Sequence, residues 1–313
     1  MAAPPLLLHS LAEFRDLIQS CLSAAGARVI LEIGSESGAN TRELLAFAAE
    51  RDGQLWCIEP APTPELERLD AEEERLHLVA SRSPGALEEL EACDAYIVDG
   101  DHNYWTVSRE LEHIDDRARA ARSPALVVLH DVSWPCGRRD HYYAPEALPA
   151  GAVHAYSWDH GSVPGRSEAL RGGFRGRGEF AIALNEGGER NGVRTAVEDF
   201  VAAHDDLRFI HVPSIFGLGI VYSGEAPYAG AIEEILSPFD RNPLLERLEQ
   251  NRVELYVKLI EQQDTVSELG LRNGRLLAEY DRTVTSAEAE AAALRAELAG
   301  LQERADAPGE AGS

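Results

Sequence analysis

Lysine is almost missing from this chain: Lys258 is the single one among 29 basic residues, so arginine carries nearly all the positive charge. A glycine-rich phosphate loop closed by lysine is thereby excluded. Acids outnumber bases by 54 to 29, which gives a formal charge of −25. A field of that sign repels nucleic acid and anionic membranes, and neither is expected as a partner. Long apolar runs are lacking as well. Residues 6–8 form a run far shorter than a secretory core, no basic residue precedes it, and no stretch reaches membrane-spanning length. The few cysteines, Cys21, Cys57, Cys93 and Cys136, are too widely spaced for a paired metal motif. They read as buried free thiols in a reducing compartment, so a cytoplasmic location is expected.

What the chain does have is an alternating α/β pattern. At 313 residues and 44% hydrophobic content it can bury a substantial core, with one main domain and an appendage. Ser10 and Glu13 make a capping box ahead of Leu11, Phe14, Leu17, Ile18, Cys21 and Leu22, which repeat at helical spacing. Apolar strands are expected at 29–33, 55–58, 76–79, 95–98 and 126–129. Helical patterns over 43–50 and 106–120, and a helix opened by Ser83-Pro84, separate them. Continuous apolar strands between helices imply a doubly wound parallel sheet, covered on both faces. A helix over 194–204 and an antiparallel pair at 207–212 and 216–222 close the domain.

The first strand runs into Glu32-x-Gly34-x-x-x-Gly38. Gly34 permits a tight turn, Gly38 permits close approach of backbone to a ligand, and the helix opening near Asn40 and Thr41 turns free N–H groups toward the crevice. A dinucleotide turn would have a different glycine spacing, and Glu32 would oppose a phosphate but attract a cation. The second strand ends in Glu59, where a carboxylate can accept hydrogen bonds from both hydroxyls of a ribose; the alternative is a solvated strand-end acid.

The fourth strand ends in Asp99-Gly100-Asp101-His102 and the fifth in His130-Asp131. In a parallel sheet these ends emerge side by side at the ligand-binding edge. Carboxylates there suit Mg2+, and imidazole tilts the preference toward Mn2+ or a later metal. The alternative is that Asp101 or His102 caps the next helix and His130 is a core histidine.

The Glu32–Gly34–Gly38 turn resembles motif I of the class I S-adenosylmethionine-dependent methyltransferases. Asp99-Gly100-Asp101-His102-x-Tyr104 and Leu129-His130-Asp131 are similar to the branch containing macrocin- and mycinamicin-type sugar O-methyltransferases and cephalosporin-hydroxylase-like proteins, over roughly residues 10–223. The resemblance implies a Rossmann-like sheet with an antiparallel last strand. It implies that Glu32 lies near the methionine amino group, that Glu59 holds the ribose, and that Ser81 meets the adenine end. It makes Asp99 and Asp131 ligands of Mg2+ or Mn2+ and His102 the base. His130 stands where the family has an acid, so its part in the metal set departs from the pattern.

Residues 132–190 break the rhythm and form a substrate-binding insert within a methyltransferase domain spanning 1–225. Its aromatics, among them Trp134, Tyr143 and Trp158, can stack on sugar rings, and Arg138, Arg139, Arg166, Arg171, Arg175 and Arg177 can grip acidic groups; a structural lid is the alternative. Residues 226–242 read as a linker and 304–313 as a disordered tail. Between them, 243–303 form a long helix in which Leu248, Leu255, Leu259, Val266, Leu269 and Leu276 approximate a three-four spacing, joined later by Leu294, Leu298 and Leu301. Arg252, Gln262 and Asn273 interrupt the seam. The helix is suited to pairing with itself or with a partner helix, or else to packing on the domain. The reading that follows is an O-methyltransferase using S-adenosyl-L-methionine on a hydroxyl of a sugar or glycosylated small molecule, assisted by a divalent metal. Its rivals are a scaffold that has lost its chemistry and a metal-dependent hydroxylase.

Overall fold

Residue pairs such as Ile30 and Leu31, both fully buried, show why the sheet is double-faced: neighbours along a strand point to opposite sides, and each side has its own apolar cover. The computed structural model describes residues 7–36 and 38–305. The sheet is seven-stranded, with β1 (Val29–Ile33), β2 (Gln54–Ile58), β3 (Leu76–Val79), β4 (Ala95–Val98) and β5 (Leu126–Leu129) parallel. Residues 132–192 contribute short strands of their own: β6 (His141–Tyr142), β7 (Tyr156–Ser157), β8 (His160–Gly161), β9 (Leu170–Arg171) and β10 (Ala181–Ala183). The chain then re-enters the main sheet with β11 (Leu207–Val212) and β12 (Leu218–Ser223). The order is β3-β2-β1-β4-β5-β12-β11, with β12 antiparallel to both neighbours. Strand order reverses between β1 and β4, so their carboxyl ends open a crevice.

One face is covered by α1 (Arg15–Ala25), α2 (Ala39–Ala49) and α6 (Ala229–Leu236), the other by α4 (Tyr104–Ala121) and α5 (Val193–Ala202), while α3 (Pro64–Glu72) joins β2 to β3. Asn103 caps α4 by accepting from the Thr106 N–H at 2.9 Å, and Gly26 at φ 65 ends α1.

Three expectations need correction. The stretch 226–242 is not a linker, because α6 lies within it and buries Ile232 and Leu236 completely. Ser83-Pro84 does not open an α-helix; only a 3-10 turn, Gly85–Glu89, follows, and Ser83 instead donates to Glu110 at 2.5 Å. The first residues after Ser10 also form a 3-10 turn, Leu11–Phe14, so Ser10 Oγ accepts from Ala12 N rather than from Glu13 N.

The last helix, α7 (Pro243–Ala305), starts under an Asn242 cap. Up to Ile260 it belongs to the domain and buries Val253, Val257 and Ile260. Glu249, also buried, accepts from the Ile215 and Phe216 N–H groups. Residues from Glu261 onward form a separate helical unit with exposed side chains. The expected tail from 304 lies almost wholly outside the described residues. Among the described residues no helix is long and apolar enough to cross a membrane.

Candidate active site

Gly34 leaves β1 at φ +84, a conformation that costs glycine little, and a Cβ built there would meet the Asp99 carbonyl oxygen at 2.2 Å. The turn after β1 is therefore pressed directly against the end of β4. Gly38, at φ +75, is the residue before α2.

Glu32 does not line an open crevice. It is 1% exposed, and its carboxylate lies under the turn, accepting from Ser35 Oγ at 3.1 Å, Asn40 Nδ2 at 2.7 Å and Thr41 Oγ1 at 2.5 Å, with the Cys57 thiol at 3.4 Å. Burial raises its pKa, while those donors favour the charged form. Glu32 thus shapes the turn and supplies negative potential beneath it. Glu59 is closer to solvent and receives the Ser35 and Glu36 N–H groups at 3.1 and 3.2 Å and the Ala61 N–H at 3.1 Å. Ser81 follows β3, exposed, and among the described residues no hydrogen bond joins it to the turn.

At the ends of β4 and β5 the structure brings Asp99, His102 and Asp131 together, with one ligand atom from each lying within 4.8 Å of the others. His102 Nε2 is 3.4 Å from Asp131 Oδ2. Asp131 holds a left-handed backbone, φ 58, unusual for a non-glycine residue and found where a side chain must be aimed.

His130 differs from its expected role. Its Nδ1 lies 3.1 Å from Asp99 Oδ1 and its Nε2 3.0 Å from the Ile215 carbonyl, and both partners can only accept. The ring is accordingly an imidazolium with neither nitrogen free for a metal. Burial opposes its charge, yet Asp99, Asp131 and the Ile215 carbonyl together push its pKa up to about 9. The metal assignment of His130 is corrected on this geometry, which leaves Asp99 and Asp131 to offer oxygens to an ion, with the His102 imidazole beside them. Carboxylates with free oxygens fit Mg2+ or Mn2+.

Asp140, fully buried, fastens the insert to this edge. It accepts from the Tyr104 N–H at 2.7 Å, the Gly192 N–H at 2.7 Å and the Tyr142 hydroxyl at 2.8 Å, so it joins the starts of α4 and α5 to β6. Arg139 is also fully buried and donates to the Ala183 and Ser167 carbonyls at 2.6 and 2.7 Å. It holds the insert's own backbone and is not available to grip a substrate, which corrects its expected role. Arg138 is likewise engaged, with Glu198 at 2.6 Å. Tyr143, half exposed, lies beside His102 at a ring separation of 5.9 Å.

Asp140 carries no signal in the sequence, because a buried hub in an irregular insert follows no period. Ser35, Asn40 and Thr41 do carry one: short polar side chains clustered just after a buried acid.

Residues 31–132 match a family model described as a methyltransferase domain. The matched segment covers the Gly34 turn, the ends of β1, β2 and β4, and the whole of the Asp99–Asp131 edge. With the sheet order, the match supports the expected Rossmann-like methyltransferase fold. Among solved structures, the chain is similar to an SAH-bound methyltransferase of Podospora anserina, 16% identical, covering 66% of this chain and 77% of that one at a TM-score of 0.42. It is also similar to an O-methyltransferase of Bacillus cereus in complex with SAH, 13% identical, covering 70% and 84% at a TM-score of 0.42. Among curated proteins, it is 29% identical over 162 residues to glutamate 5-kinase of Pseudomonas aeruginosa, covering 47% of this chain. The chain spans 43% of the length of that relative. A phosphate at the Gly34 turn would lie above the buried Glu32 and beside Glu59, and both acids oppose its charge.

Proposed function

We propose that this chain transfers the methyl group of S-adenosylmethionine to a hydroxyl of a sugar or glycosylated small molecule. The observation that carries this reading is the His102–Asp131 pair, 3.4 Å apart at the carboxyl edge of the sheet, beside Asp99 and the Gly34 turn. The sulfonium is a cation, which suits a turn underlain by Glu32 and flanked by Glu59. His102 Nε2 takes the proton of the acceptor hydroxyl as its oxygen attacks the methyl carbon, and Asp131 stabilises the imidazolium that results. Asp99 and Asp131 would hold a divalent ion, which when bound would make the hydroxyl more acidic.

A sugar acceptor is supported by the exposed aromatics of the insert: Tyr143, half exposed, lies 5.9 Å from the His102 ring, and Tyr156 and Trp158, each more than a third exposed, meet edge to face at 6.5 Å. Such faces can stack on the apolar side of a sugar ring.

The test is kinetic and calorimetric. His102→Ala lowers turnover by about 10²- to 10⁴-fold with S-adenosylmethionine affinity intact. Unchanged turnover removes His102 from the mechanism. Chelation abolishes activity and Mg2+ or Mn2+ restores it; chelator-insensitive turnover rejects the metal. Failure of the chain to bind either S-adenosylmethionine or its demethylated product favours a scaffold.

A further inference from the structure

The helical unit from Glu261 leaves apolar side chains uncovered on a surface that is otherwise strongly charged. Val266, Leu269, Leu276, Leu277, Tyr280 and Leu294 are each at least half exposed. A three-four seam runs Val266, Leu269, Asn273, Leu276, Tyr280 and resumes as Val284, Ala287, Ala291, Leu294, Leu298, Leu301. The two halves join through one extra four-residue step, from Tyr280 to Val284. Such a stutter locally unwinds a left-handed supercoil and widens the seam, so that the consecutive Leu276 and Leu277 both reach it. Without a partner this helix is weak: Gly270 and Gly274 lie within it, each costing about 1 kcal/mol relative to alanine, and long helices in proteins gain most of their stability from packing.

We propose that residues 266–301 pair with the same segment of a second copy as a parallel, in-register coiled coil about 50 Å long. Two features of the seam select this occupant and this orientation. Asn273 is the polar residue at an otherwise apolar layer; in a parallel, in-register pair it meets the Asn273 of the other copy and the two amides bond. A fully overlapped antiparallel pair places Asn273 against Leu294 and leaves the amide unsatisfied. Beside the seam, Glu290 and Arg295 are five residues apart, the spacing at which flanking charges attract across a parallel pair. By symmetry this occurs twice.

Light scattering on the full chain tests the pairing, and the expected mass is twice 34.2 kDa. Leu294→Asp with Leu298→Asp halves that mass while leaving S-adenosylmethionine affinity unchanged, since both residues are exposed in the lone helix. Orientation is read by Ala287→Cys, which links the two chains covalently on mild oxidation when the pair is parallel and in register. In the antiparallel pair Ala287 faces Tyr280, about 10 Å along the helix from its own counterpart, which is beyond disulfide reach. The native cysteines are buried and give no background linkage. A monomeric mass at micromolar concentration overturns the proposal, and so does a dimer that Ala287→Cys fails to link.

Discussion

The turn after β1 and the edge formed by β4 and β5 are adjacent, yet their acids are used in opposite ways. Glu32 is sealed beneath the turn and saturated by Ser35, Asn40 and Thr41, whereas Asp99, Asp131 and His102 keep part of their surface toward the crevice. Under the proposed methyl transfer, the difference separates two physical tasks. A site that must hold a cation in one pose needs a rigid floor, so its acid is consumed by internal hydrogen bonds. A site that must exchange a proton needs groups with spare coordination, so its acids share one imidazolium, His130, and leave oxygens free.

The sharpest way to break this arrangement is at the seam between the two regions. Gly34→Ala places a methyl carbon 2.2 Å from the Asp99 carbonyl oxygen and forces alanine to φ +84. Neither backbone can yield without displacing the other, so both regions fail together. The expected loss is at least about 3 kcal/mol of stability and all measurable S-adenosylmethionine binding, checked by urea unfolding and calorimetry. Retention of binding would show that the turn is looser than its packing indicates.

The two acids should then separate under paired substitutions. Glu32→Leu strands the Ser35, Asn40 and Thr41 donors in a buried site, and the unfolding free energy falls by about 3 kcal/mol with weaker cofactor binding. Asp99→Asn leaves the turn intact, so cofactor affinity changes by less than about 1 kcal/mol while turnover falls at least tenfold; the stability it loses, on the order of 1–3 kcal/mol, is that of the buried pair with His130 and not of the turn. If the two variants lose stability and turnover in the same proportion, the distinction between floor and working edge is wrong.

This division also explains which parts of the molecule are legible in the sequence. The parallel strands are, because a strand buried on both faces is a continuous apolar run, and β1, β2 and β4 end in the acids Glu32, Glu59 and Asp99. The side chains at those ends cannot be sorted by spacing alone. Whether His130 is a ligand or a paired cation depends on Ile215, which is 85 residues away in the chain and approaches it only when β12 folds back beside β5. The insert is legible as an interruption but not as an arrangement, since Arg139 looks like a surface arginine until its guanidinium is found bonded to backbone carbonyls. The stretch 226–242 misleads because Pro227, Ser237 and Pro238 flank a helix of only eight residues, Ala229–Leu236, whose apolar face is revealed by its contact with α1.

The smallest expected effect tests how dry the ground behind the working edge is. Glu110 of α4 is fully buried, accepts from Ser83 with one oxygen and has no partner for the other among the described residues; burial, with Asp101 nearby, pushes its pKa up to about 8 from an ordinary 4.5. At pH 4 the acid is neutral in both the folded and the unfolded chain and carries no penalty. As pH rises from 4.5 to 8, the unfolded chain releases the proton and the folded chain retains it, so stability declines across that window and levels off above it. Glu110→Gln removes the dependence, gaining of the order of 2 kcal/mol at pH 8.5 and almost nothing at pH 4, as urea midpoints at the two values would show. An equal change at both pH values would mean that water reaches Glu110, and the contrast between a dry interior and a wet, proton-exchanging edge would lose its inner boundary.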